Sequence, residues 1–112
     1  PIALLEAMSL GIPSVVSDCS EGIRDLWQLP AADIDNRKEG PLAFETPFGV
    51  LMPSSIDDSK VSGGWVKELE KLLRDPAQRD RCANACRRRA KEYDIDRVAD
   101  LWNPLVTPDI RA

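Results

Sequence analysis

Seventeen residues at the start, PIALLEAMSLGIPSVVS, leave the chain few options. Ile2 to Leu10 is almost wholly apolar, with Glu6 and Ser9 as its polar members. The run falls well short of the roughly 20 residues that a membrane helix needs. Gly11 stops the helix, because glycine accepts the left-handed conformation that ends one. Pro13 bars resumption, and the β-branched Val15 and Val16 turn the chain straight into a strand. A carboxylate inside so apolar a helix admits two readings. Apolar flanks imply burial on both sides, where an ionised glutamate needs a partner. Alternatively, Glu6 and Ser9, three apart, form a narrow stripe facing solvent. The residues alone leave both open.

The run from Pro1 to Val16 resembles the nucleotide-sugar signature of the family-4 retaining glycosyltransferases. Their motif has two glutamates, the second opening a Glu-Ala-Met-Ala-x-Gly-x-Pro-Val-Val run. Glu6 matches that second glutamate; the first falls before Pro1. The resemblance implies an α/β fold: the C-terminal part of a Rossmann-like GT-B domain, with few parallel strands, flanking helices and a helical C-terminus. On that basis residues 1–53 hold the motif helix, two strands and an insertion loop. Residues 54–106 form a helical C-terminal part, and 107–112 a tail. Because the motif is cut at Pro1, the chain is expected to be an excised C-terminal piece of a larger protein.

Composition narrows the function classes. The chain has 112 residues, 43% hydrophobic and 30% charged, which suits one small soluble domain or part of a larger one. Its net charge of −4 is unevenly spread. Residues 1–60 carry 4 basic and 10 acidic groups, and residues 61–112 carry 11 and 9. Neither half looks like a nucleic-acid footprint. Ile2 to Met8 lacks the basic lead of a signal peptide. Three cysteines without such a signal suggest reduced thiols in a cytosol. Cys82 and Cys86, four apart on an expected helix, make a weak metal site and a better pair of small core residues. With no histidine in the chain, the usual serine or cysteine triads are excluded from it.

Beyond the first helix, a strand is expected at Ser14 to Ser17, then a loop entering a short helix through Cys19-Ser20-Glu21-Gly22-Ile23-Arg24-Asp25-Leu26-Trp27. That segment resembles the family's Asp-Cys-Pro-x-Gly-x-Arg-Glu-Ile. Ser20 can cap the helix, Ile23, Leu26 and Trp27 face the core, and Arg24 pairs with a nearby carboxylate such as Glu21 or Asp25. Leu29 to Pro47 reads as a long loop with one weak strand near Leu42 to Phe44. Phe48 to Pro53 is the second clear strand, and Ser54 to Gly64 a surface loop. Trp65 to Arg74 has the period of an amphipathic helix, with Trp65, Leu69, Leu72 and Leu73 inward and Lys67, Glu68, Glu70 and Lys71 in water. Asp75 and Pro76 open another helix, reaching about Glu92, with Cys82, Cys86, Ala90 and Tyr93 as its inner stripe. Arg87-Arg88-Arg89 reads as a solvated face. A last helix from Asp94 turns Ile95, Val98, Leu101 and Trp102 inward and ends before Pro104. A parallel sheet this small is expected to self-associate or borrow strands.

A helix start offers free N–H groups and a positive dipole end to phosphate oxygens. The resemblance implies that backbone N–H groups at Ile2 and Ala3 lie against the diphosphate of a nucleotide-sugar donor. It also implies that Glu6 accepts hydrogen bonds from the ribose hydroxyls. An ionised carboxylate can take both hydroxyls at once, and Ile2 to Glu6 spans about 6 Å of helix. No metal or cofactor is implied, and no catalytic residue falls within the chain. The remaining partners would be a glycan or lipid-linked acceptor and the N-terminal GT-B domain. The implied location is cytoplasmic, with the parent open to a peripheral position at the inner membrane. Two alternatives stand beside this donor-binding reading: a non-catalytic association fragment, and a sugar-nucleotide epimerase of the same fold.

Overall fold

The computed structural model describes residues 1–30, 43–54 and 59–106. The elements are α1 (Ile2–Ser9), β1 (Ser14–Ser17), α2 (Glu21–Leu26), β2 (Phe44–Thr46), β3 (Gly49–Met52), α3 (Ser59–Arg74), α4 (Pro76–Lys91) and α5 (Ile95–Val106). The chain is therefore mixed α/β, with a small sheet and a helical C-terminus. The sheet order is β1-β3-β2. β1 and β3 run parallel, Ser14 opposite Gly49 and Ser17 opposite Met52. β2 runs antiparallel to β3, so the expected few parallel strands come down to the β1–β3 pair among the described residues. The reason is the tight turn at Pro47 and Phe48, which returns the chain directly. Thr46 Oγ1 holds that turn: it donates to the Gly49 carbonyl at 2.8 Å and accepts from the Phe48 and Gly49 N–H groups.

The first helix ends as its sequence predicts. Gly11 has φ +68°; its N–H donates to the Met8 carbonyl, and that of Ile12 to the Ala7 carbonyl. These two bonds make a Schellman motif, which releases the chain into β1. The core lies where α1, α2 and α4 meet the sheet: Met8, Ile23, Leu26, Trp27, Phe48, Leu51, Ala85 and Cys86 form one buried cluster. The Trp27 and Phe48 rings stack with centroids 6.3 Å apart. Side chains alternate across a strand, so Val50 and Met52, also buried, point away from Leu51. α3 packs on β1, β3 and α4.

Of the two readings left open for α1, the structure bears out the solvent-facing stripe: among its residues only Met8 is fully buried, and Glu6 and Ser9 are exposed. Several expectations need correction. α3 begins at Ser59, inside the stretch read as a loop. Its inward line is Trp65, Glu68 and Leu72, while Leu69 and Leu73 are exposed. Glu68 is therefore buried rather than in water, and Lys71 Nζ compensates it at 3.3 Å. α5 runs through Pro104 to Val106, and Ile95, Leu101 and Trp102 are exposed, with Val98 half-buried. Nothing among the described residues covers that face. Tyr93 is exposed as well, because α4 ends two residues before it. Residues 31–42 of the expected insertion, 55–58 of the expected loop and the 107–112 tail lie outside the described residues.

The triple arginine of α4 is not simply a solvated face. Arg89 donates to the carbonyls of Leu26 at 2.8 Å and Asp25 at 3.1 Å, pairs with Glu92 and donates to the Tyr93 hydroxyl. Arg87 lies over Gly11, reaching the Leu10 carbonyl at 3.5 Å. Arg79, earlier on α4, donates to the Leu72 and Leu73 carbonyls, both at 2.6 Å. Three arginines of one helix thus sit at the C-terminal ends of α2, α1 and α3, where unpaired carbonyls and the negative dipole end favour a cation.

Candidate functional site

The parallel pair directs attention to its carboxyl edge, where ligands gather in sheets of this kind. β1 stops at Ser17, and the N–H of Asp18 donates to the Met52 carbonyl at 2.7 Å, so Asp18 is fixed at that edge. Ser20 then caps α2, its Oγ accepting from the Ile23 N–H at 3.4 Å. Arg24, one turn into α2, reaches back and grips Asp18 with both arms. Nε donates to Oδ1 at 2.8 Å and Nη2 to Oδ2 at 2.6 Å. Asp18, which was not among the expected partners, is one carboxylate it pairs with. The strand end faces Arg24.

α1 joins β1 through a short turn and therefore starts near the edge at which β1 ends. Pro1 meets the first turn of α2: a Cβ built on Gly22 would stand 3.2 Å from Pro1 Cδ. Pro1 supplies no capping side chain, so the first N–H groups of α1 have no acceptor within the helix. Ile2 and Ala3 are both exposed at this end. Glu6, one turn further on, lines a groove of about 410 Å³ with Leu5, Ser9, Arg87, Lys91 and Tyr93. The opposite wall is thus the end of α4. Ser9 Oγ donates to the Glu6 backbone carbonyl at 2.7 Å, and among the described residues no group pairs with the Glu6 carboxylate. The three predicted residues share one helix and one exposed side of the molecule. The α4 wall and the Asp18–Arg24 pair were missed. The wall is more than eighty residues from Glu6 in sequence and carries no local signal. An acid at a strand end with an arginine six residues on is a signal that could have revealed the pair.

Cys82 and Cys86 both take buried core positions on α4. Cys86 is buried and its Sγ donates to the Phe48 carbonyl at 3.2 Å. Burial pushes its thiol up to about 11, helped by the neighbouring Cys82, whose own thiol burial also raises. Neutral thiols of this kind are poor ligands and poor nucleophiles. Among the described residues, no three acidic, cysteine or histidine side chains gather as a metal site would require. No helix among them is long and apolar enough to cross a membrane.

Comparison with known proteins adds one relative. The chain is 26% identical over 120 residues to the uncharacterized glycosyltransferase MJ1059 of Methanocaldococcus jannaschii. The likeness is to a glycosyltransferase. It takes in 95% of this chain but 28% of the relative, so the chain spans little more than a quarter of that protein's length. A glycosyltransferase relationship is what this supports. No family model and no solved structure matches the chain.

Proposed function

We propose that the chain is the donor-binding part of a retaining, nucleotide-sugar-dependent glycosyltransferase with two Rossmann-like domains. The observation that carries the reading is the make-up of α1. Its uncapped N-terminus lies at the carboxyl edge of the parallel strands, and an exposed carboxylate, without a partner among the described residues, stands one turn in. The N–H groups of Ile2 and Ala3 lie against the donor's diphosphate, where the helix dipole favours negative charge. Glu6 accepts from the two ribose hydroxyls, and such bonds to an ionised acceptor are the stronger kind. These residues position the donor rather than react with it. Holding the departing diphosphate against oriented dipoles is their contribution to sugar transfer. The acceptor, whether glycan or lipid-linked, and the remaining groups of the reaction belong to the rest of the enzyme.

The test is titration of uridine, guanosine and adenosine diphosphates into the full-length protein. Glu6→Ala should weaken the diphosphate that binds by about 1–3 kcal/mol, the range for charge-assisted hydrogen bonds. Unchanged binding in that variant would remove Glu6 from the site. A second reading, a non-catalytic association fragment, is favoured by the exposed apolar side chains of α5. Absence of any nucleotide binding would select it.

A further inference from the structure

We propose that Arg24 serves the donor site by masking the charge of Asp18; this rests on the donor-binding reading given above. The difficulty it resolves is electrostatic. Residues 1–60 carry 10 acidic groups against 4 basic ones, and a diphosphate is strongly anionic. Asp18 stands at the carboxyl edge that the diphosphate approaches, tied there through its own N–H. Its side chain is 16% exposed, so water screens it poorly. An unmasked carboxylate in that position would repel the ligand over several ångströms. The bidentate grip of Arg24, at 2.8 and 2.6 Å, cancels the charge.

The pair is more than a strut for α2. That helix is already held at its far end by Arg89 on the Leu26 and Asp25 carbonyls, and at its near end by the Ser20 cap. Ile23 and Leu26 anchor it in the core. A second pair for mechanical hold is redundant, whereas among the described residues Arg24 is the cation that meets the Asp18 carboxylate. Arg24 is thus a positioning residue of an electrostatic kind: it acts on the ligand through Asp18.

The experiment is a charge cycle in the full-length protein, read as affinity for whichever of uridine, guanosine or adenosine diphosphate the wild type binds. Arg24→Gln uncovers the carboxylate and should lower affinity about five- to tenfold. Adding Asp18→Asn to it removes the repelling charge, and the double variant should return to within about twofold of wild type. Arg24→Lys, which keeps the charge, should stay equally close. Thermal unfolding of each variant checks that it is folded. If Arg24→Gln binds as wild type does, or if the folded double variant stays as weak as the single one, charge masking is overturned while donor binding stands. If Glu6→Ala also binds as wild type does, or the wild type binds no diphosphate, the donor reading falls and takes this inference with it.

Discussion

At the scale of single residues, Gly49 is the least replaceable position in the sheet. It has φ +154°, and a Cβ there would stand 2.1 Å from the Ser14 carbonyl oxygen and 3.1 Å from the Trp27 ring. The oxygen is backbone, held in the β1–β3 ladder, and cannot yield. Gly49→Ala should therefore destabilise the protein by about 3 kcal/mol or more, measured as a fall in the denaturation midpoint. A midpoint within error of wild type would show that the strand pair can separate locally. Part of this was legible in the sequence, where Phe48 to Pro53 reads as a strand. That the glycine backs onto a carbonyl of another strand was not, because the two residues are thirty-five apart. Glu6 shows the same division. Its spacing from the helix start was legible; its exposure was not, since an apolar run says nothing of what is present to cover it.

At the scale of elements, α4 organises its neighbours by their ends. Arg79, Arg87 and Arg89 each reach C-terminal carbonyls of another helix. The side chain of Arg89 is 12% exposed and bridges two carbonyls, Glu92 and Tyr93. Arg89→Ala should cost about 1–2 kcal/mol of stability by urea unfolding, through lost helix-end hydrogen bonds and lost packing. Arg88→Ala, at an exposed neighbour, should change stability little. Equal effects from the two would contradict the capping account. Helix boundaries set by local chemistry were readable: Ser20 and Asp75 cap where expected, and Gly11 ends α1. The inward faces of α3 and α5 were harder to read. Periodicity finds an apolar stripe but not the surface it lies on. In α3 the packed line is displaced onto Glu68, and in α5 the stripe meets nothing among the described residues.

At the scale of the molecule, a radius of gyration of 17.2 Å exceeds the ~13 Å of a compact chain this long. The exposed apolar side chains of α5 accord with that elongation. The α/β character was legible in the sequence; the mixed sheet, the α4 wall of the groove and the Asp18–Arg24 pair depend on contacts that close only in three dimensions. What the account asserts above all is that Glu6 holds a ribose. The direct measurement compares a nucleoside diphosphate with its 2′,3′-dideoxy form, in wild type and Glu6→Ala. The wild type should prefer the ribose form by about tenfold or more, and that preference should vanish in the variant. A preference that survives the loss of Glu6 undiminished would contradict the account.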